Sequence, residues 1–332
     1  MDGTLTIENG DEIIDFIDLV GANLSRMEEN QIIRIRNWLT PLVRPIQQHN
    51  PISKSRQNVA HHYDLSDELF DLFLDSDRQY SCAYFETPND SLEQAQLAKK
   101  HHLLAKLRID KPSLKLLDIG SGWGGLGIYM HQQTGADVTG LTLSTEQRGY
   151  ATERVEKLGI ANNVRFHLRD YRLEEDKYDR IVSVGMFEHV GRQNYTNYFK
   201  IMHSLLVPGG LFLLQTIGAR RHVYSVDPWI EKYIFPNGML PPARAIVDGT
   251  DKLFTIEDWH NFGADYDRTL MAWYQNFIDA WPSLSEKYDE RFRRMFEYYL
   301  LTCAGAFRAR ENQLWQVVLS AGGTSGGYQS VR

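Results

Sequence analysis

A short apolar run that ends in an acid, Leu116-Leu117-Asp118-Ile119, leads into the turn Gly120-Ser121-Gly122-Trp123-Gly124-Gly125. Glycines in this rhythm let a backbone adopt positive φ and approach a ligand, so Gly120, Gly122 and Gly124 are candidates for a cofactor cradle. A G-x-G after a strand serves several nucleotide-like cofactors and does not by itself choose among them. Glu188, flanked by Phe187 and His189, follows a later apolar strand, where a carboxylate can hold an ion or exchange a proton. The bland alternative for Glu188 is a surface acid capping the next helix. Cys303 has no base motif that would generate a thiolate, so it reads as a structural thiol, kept among the candidates. The pairs His61-His62 and His101-His102 lack Cys or acid partners at metal spacing, and no metal site is expected.

These residues need a frame, and the sequence alternates strand and helix after Asp118. Strands are expected at Lys115–Ile119, Asp137–Leu141, Val164–Leu168, Asp179–Val184 and Leu211–Ile217. Helical periodicity falls between them, as over Thr145–Leu158 and Tyr195–Leu206, and Pro208-Gly209-Gly210 reads as a turn. Such alternation predicts an α/β fold, a doubly wound and mostly parallel sheet with right-handed crossovers. Ligands then bind beyond the carboxyl ends of the strands, where the glycine turn lies. Upstream, residues 11–24 and 31–46 carry apolar side chains at helical spacing, and 49–54 read as a linker. Residues 1–55 are therefore assigned to an N-terminal helical extension and 56–332 to a catalytic domain. Residues 220–300, rich in aromatics and broken by Pro236 and Pro241-Pro242, are expected to be a mostly helical cap over the substrate. Gly322–Gly327 reads as a flexible tail.

Composition narrows the class. A chain of 332 residues, 42% hydrophobic and 12% aromatic, can build a large core. Two cysteines give no disulfide framework and suggest a reducing, cytoplasmic setting. No apolar run approaches the ~20 residues needed to span a bilayer, and no signal peptide is visible. A formal charge of −7 argues against a nucleic-acid partner. Local basic clusters, including Arg26 to Arg56, Arg220-Arg221, Arg291-Arg293-Arg294 and Arg308-Arg310, could meet anionic headgroups at a membrane surface. Taken singly, each reads first as a solvated or ion-paired face.

Several separated segments then carry a specific likeness. They are Tyr80-Ser81-Cys82-Ala83-Tyr84-Phe85, Leu141-Thr142-Leu143-Ser144-Thr145-Glu146-Gln147, Met186-Phe187-Glu188-His189-Val190-Gly191 and Cys303-Ala304-Gly305-Ala306-Phe307-Arg308, standing around the glycine turn and its Leu-Asp-Ile lead. From about His61 to Ser320 the sequence resembles the cyclopropane-fatty-acyl-phospholipid synthases, relatives of the mycolic acid cyclopropane synthases. The resemblance implies a class I methyltransferase fold, Rossmann-like with seven strands. It also implies S-adenosyl-L-methionine (AdoMet) as cofactor and bicarbonate as a bound ion. Leu314–Leu319 would then be the antiparallel edge strand of that class. The expected acceptor is a cis double bond in an acyl chain of a membrane phospholipid, reached from the cytoplasmic face of the membrane. A homodimer is left open.

Site residues follow from the same likeness. Tyr80 and Ser81 would hold AdoMet, with Asp118, Gly120, Gly122 and Gly124 lining it. Thr142 and Gln147 would replace the acid that many methyltransferases place after the second strand, and Tyr171 with Arg172 would face the adenine. The bicarbonate ligands map onto the backbone at Cys82 and Ile217 and the side chains of Glu188 and Tyr274. Phe235, Trp229, Trp273, Tyr274, Phe277 and Trp281 are candidates for apolar walls that exclude water and stabilise a cation. The family's His-Thr-Ile segment appears here as Gln215-Thr216-Ile217. Glutamine can donate a hydrogen bond but cannot become cationic or relay a proton. A methyl- or methylene-branched product is therefore the alternative to a ring.

Overall fold

In a computed structural model, residues 1–4, 13–28, 67–109, 111–220 and 227–332 are described. The second expected helix, the linker and His61 to Asp64 lie outside these residues. The first expected helix is present as α1 (Ile13–Glu28). It packs along a late helix, with Ile17 seated over Gly305 and Asp18 paired to Arg308 at 2.8 Å.

The chain continues through α2 (Asp67–Phe73), α3 (Leu92–Leu107), β1 (Lys115–Ile119), α4 (Gly125–Thr134), β2 (Asp137–Thr142), α5 (Thr145–Lys157) and β3 (Val164–Leu168). It then runs through β4 (Tyr178–Val184), α6 (Tyr195–Leu205), β5 (Leu206–Ala219), α7 (Pro228–Tyr233), α8 (Ala243–Thr250), β6 (Thr255–Asn261), α9 (Ala264–Leu284), α10 (Glu290–Arg308) and β7 (Asn312–Ser320). Local sequence sets the helix starts. Ser91 and Gln94 form a reciprocal capping box on α3, and Ser144 caps α5 through the Gln147 amide.

The seven strands form one sheet in the order β3-β2-β1-β4-β5-β7-β6. The first five are parallel neighbours, while β7 runs antiparallel to both β5 and β6. Strand order reverses between β1 and β4, which opens a crevice at their carboxyl ends. Two expectations are corrected. β7 is not the edge, because β6 from within the presumed cap pairs outside it. Pro208-Gly209-Gly210 is not a turn before the strand. It lies inside β5, which runs through it with an irregular register between Tyr178 and Arg180 of β4.

The presumed cap aromatics also divide. Trp273, Phe277 and Trp281 are buried with Phe70, Phe73, Phe296 and Leu300, so they form the packing core between α2, α9 and α10. Truncating such a side chain costs about 3–5 kcal/mol. Phe235 instead borders the site, 5.8 Å from the Tyr299 ring and 6.3 Å from that of His189. The C-terminal segment is not a free tail. Arg332 and Ser330 bind the Asp258 carboxylate, and the Tyr328 hydroxyl donates to the Lys106 carbonyl. Among the described residues, no helix is long and apolar enough to cross a membrane.

Candidate functional site

A cavity of about 200 Å³ opens at the strand-order reversal, walled by the glycine turn, the ends of β1 and β2 and the segment Arg78–Ser81. Tyr80, Ser81, Asp118, Gly120, Gly122, Thr142, Gln147, Tyr171 and Arg172 all line it. Gly124 does not. With φ of 85° it caps α4, and a Cβ there would lie 2.7 Å from the Phe166 ring, so its role is packing. Gly120, Gly122 and Gly125 have the spacing G-x-G-x-x-G. A Cβ on Gly125 would sit 2.2 Å from the Asp77 carboxylate, and this close approach draws Asp77 into the turn.

The cavity wall carries polar groups without protein partners. Asp118 is 2% exposed, and its Oδ2 is among the buried atoms that find no hydrogen bond. Burial raises its pKa to about 7, against the pull of the Lys99 ammonium. Gln147 accepts from Thr142 Oγ1 at 2.8 Å, leaving its own Nε2 buried and unpaired. Arg172 binds Asp170 through two hydrogen bonds of 2.8 and 2.7 Å, which fixes the turn that carries Tyr171. A ligand with an ammonium, ring nitrogens or hydroxyls would satisfy these atoms. Gly122 leaves open space where its Cβ would be, as a bound cofactor requires. The residues present fit AdoMet.

None of the six residues assigned to chemistry lines this cavity. Glu188 stands in the helical turn Phe187–His189, and its neighbours Met186 and His189 line the cavity. Its Oε1 accepts from the Ile217 amide at 2.6 Å, while Oε2 is buried without a partner. Burial raises the Glu188 pKa to about 7, and the bond from Ile217 pulls the other way. Ile217 lies against the small apolar cluster of Cys82, Phe262 and Leu314. The same residue packs on the larger cluster with Tyr80, Tyr274 and Cys303 at its margin. Gln215, 1% exposed, accepts from Gln316 Nε2 at 2.9 Å.

Both thiols are poor nucleophiles here. Cys82 is fully buried and burial lifts its pKa well above the ordinary thiol value. Cys303 is pushed to about 12 by burial, with Asp227 adding to the shift. His102 stacks on Tyr84 with centroids 4.2 Å apart, a packing role. Among the described residues the basic clusters carry ion pairs, Arg220 with Glu311, Arg291 with Asp2, Arg293 with Glu297 and Arg308 with Asp267, while the side chains from Arg26 to Arg56 lie outside them.

Sequence reasoning passed over several cavity residues. Arg78 and Gln79 adjoin the Tyr-Ser pair and line the cavity beside it. Arg78 grips Asp71 at 2.5 and 2.6 Å and lies 4.2 Å over the Tyr150 ring. Trp123 stood within the glycine run. Lys99, which no motif singled out, is fully buried and donates to Ser81 Oγ.

Comparison with known proteins agrees with this geometry. The family model for mycolic acid cyclopropane synthetase matches residues 50–317. The chain is 54% identical over 265 residues to the cyclopropane-fatty-acyl-phospholipid synthase of Escherichia coli (strain K12), covering 80% of this chain and 68% of that protein. It is 36% identical over 303 residues to the tuberculostearic acid methyltransferase UfaA1 of Mycobacterium tuberculosis, covering 86% and 70%. Among solved structures, the mycolic acid cyclopropane synthase CmaA1 complexed with SAH and CTAB superposes with a TM-score of 0.74 at 31% identity, covering 80% of this chain and 98% of that one. With a class I methyltransferase sheet and a cavity fitted to AdoMet, the chain belongs to the mycolic acid cyclopropane synthetase family of AdoMet-dependent methyltransferases.

Proposed function

We propose that this enzyme converts cis double bonds in the acyl chains of membrane phospholipids into cyclopropane rings, with bicarbonate as the base. Bound AdoMet supplies an electrophilic methyl group, which the alkene attacks to form a C–C bond while the sulfur leaves as a thioether. The carbocation so formed on the acyl chain must lose a proton from the new methyl group, and the electron pair of that C–H bond closes the ring.

The observation that carries this reading is the Glu188 carboxyl, buried with Oε1 bound to Ile217 and Oε2 unpaired. A protonated or half-protonated Glu188 tolerates a bicarbonate anion beside it, which an ionised one would repel. Its pKa of about 7 supports that state. Glu188, itself held by the Ile217 amide, would orient the ion with the Cys82 backbone and Tyr274. A bicarbonate held there would supply the base for this deprotonation. Neither buried thiol is needed, because the methyl group transfers directly.

The similarity to a phospholipid-modifying relative supports the acceptor. Approach to a membrane surface is supported by Phe16 and Leu19 on α1, which are 43% and 64% exposed. A specific observation favours a second product. Gln215 replaces the expected histidine and is held by Gln316, so it cannot shuttle a proton, and a methyl branch becomes the competing outcome.

Vesicles of cis-unsaturated phospholipid, incubated with AdoMet deuterated in its methyl group, separate the two. A ring retains two of the three deuterons, and NMR of the product would show them on a ring methylene. Retention of all three in a branched chain would replace the ring by simple methyl transfer. No mass added to the lipid would reject both.

A further inference from the structure

Lys99 sits midway along α3 with 0% exposure, yet it forms no ion pair among the described residues. Its ammonium donates to two neutral oxygens, Gln79 Oε1 at 2.8 Å and Ser81 Oγ at 2.9 Å. Both of those residues line the cofactor cavity. A buried cation held only by neutral acceptors is costly and is kept where its charge has a use. The charges it feels from neighbouring segments are Asp75, Asp77 and Lys100, with the Cys82 thiol also facing it. Lys99 in turn acts on Asp118 across the cavity wall.

The directions of these hydrogen bonds are fixed by chemistry. An ammonium has three donors and no acceptor, so the Ser81 oxygen must accept from it. The hydroxyl proton of Ser81 is then free to be donated elsewhere, and Ser81 faces the cavity. Gln79 is pinned from both ends, because its Nε2 donates to Asp77 Oδ2 at 3.1 Å while its oxygen takes Lys99. A flipped amide would set two donors against each other. Lys99 thus presents a polarised hydroxyl donor to the cavity, on the same wall system that carries the unpaired Asp118 oxygen.

We propose that Lys99 is a positioning residue for the amino-acid end of AdoMet: through Ser81 it fixes a donor for the α-carboxylate, while Asp118 serves the α-ammonium. The inference rests on the assignment of this cavity to AdoMet. It gives the cavity a sense of direction, since a zwitterion can enter only with its two charges correctly placed. The sulfonium methyl is then aimed as a consequence of how the head group is held.

The test is calorimetric titration of the full chain with S-adenosylhomocysteine and with its decarboxylated analogue, which lacks only the carboxylate. Lys99→Met should weaken S-adenosylhomocysteine roughly ten- to a hundredfold, the usual worth of a hydrogen bond to a charged group. The decarboxylated analogue should weaken by less than about threefold on the same scale. Ser81→Ala should give the same pattern, and Lys99→Arg should recover part of the loss. Equal losses for the two ligands would show that Lys99 only props the segment Gln79–Ser81 and would overturn the proposal, as would unchanged affinity in Lys99→Met. Should Lys99→Met not fold, Ser81→Ala retains the lysine and decides by the same comparison. No lipid enters the measurement, so its failure is distinct from a failure of the acceptor assignment.

Discussion

The Ile217 amide donates a 2.6 Å hydrogen bond to Oε1 of Glu188, joining sheet strand β5 to the turn after β4. This contact holds a buried carboxyl between Met186 and His189, which line the cavity, and leaves only its Oε2 uncommitted. Glu188→Gln preserves the Ile217 bond through its amide oxygen but removes the titrating group. Turnover on unsaturated lipid should fall by roughly 10²-fold or more, the usual range for lost proton-transfer chemistry. Affinity for S-adenosylhomocysteine should stay within about twofold, since Glu188 does not line the cofactor cavity. Full activity in this variant would disprove the placement of the base.

Glu188 also predicts a pH dependence of stability in the apo-protein. Its pKa rises from 4.5 to about 7 on folding, chiefly by burial. The folded state therefore binds more protons than the unfolded chain between these values. Its contribution is fully present below pH 4.5 and is lost as pH rises through about 7. Asp118 behaves in the same way, from 3.8 to about 7. Denaturant titrations at pH 5 and pH 8 should show Glu188→Gln and Asp118→Asn gaining on the natural protein at the higher pH. The gain should be on the order of 1–3 kcal/mol each. A difference independent of pH would mean both carboxyls ionise freely when folded.

Much of this arrangement is legible in the sequence, for reasons that individual residues make plain. β1 is apolar between Lys115 and an acid next to its end, Asp118, and its bounds Lys115–Ile119 agree with the expected strand. β6 escaped because Thr255–Asn261 has no apolar alternation: its buried residue is Asp258, neutralised by Lys106 at 2.6 Å and by Arg332. A charge buried against charges from α3 and the C-terminal segment leaves no local pattern. Lys99 escaped for a related reason. Lysine side by side with Lys100 reads as a solvated face, whereas both side chains turn inward to partners distant in sequence, Ser81 and Asp77. Motif residues stand out in a sequence because chemistry constrains their types; their supports do not, because only the tertiary fold brings them together.

Gln215 gives a prediction that separates replacement from loss. Its Oε1 accepts from Gln316 Nε2, and Gln316 Oε1 is buried without a partner. A histidine at 215 can accept from the Gln316 amide or donate to its free oxygen, so Gln215→His should fold normally. If 215 is a bicarbonate contact, this variant should equal or exceed the natural protein in ring formation at limiting bicarbonate. Gln215→Leu strands the Gln316 amide and should cost about 1–3 kcal/mol of stability as well as activity. A Gln215→His protein with much reduced turnover would remove this position from the bicarbonate site.

The glycine turn offers the last separation, between positions that shape the chain and one that makes room for cofactor. Gly124 has φ of 85°, and a Cβ there would meet Phe166 at 2.7 Å and Ala151 at 2.8 Å. Gly124→Ala should therefore lower the unfolding temperature strongly, combining a left-handed backbone with overpacking of about 1–3 kcal/mol. Gly122 has φ of 55° and no atom within 4 Å of the same built Cβ. Gly122→Ala should lose only about 1 kcal/mol of stability, the strain of one left-handed residue. Its methyl group would enter the space the cofactor needs, so S-adenosylhomocysteine should bind at least about tenfold more weakly, a cost of 1.4 kcal/mol or more. Thermal unfolding and calorimetry on the two variants read the two effects independently. Unchanged cofactor affinity in Gly122→Ala would place the ligand away from the turn.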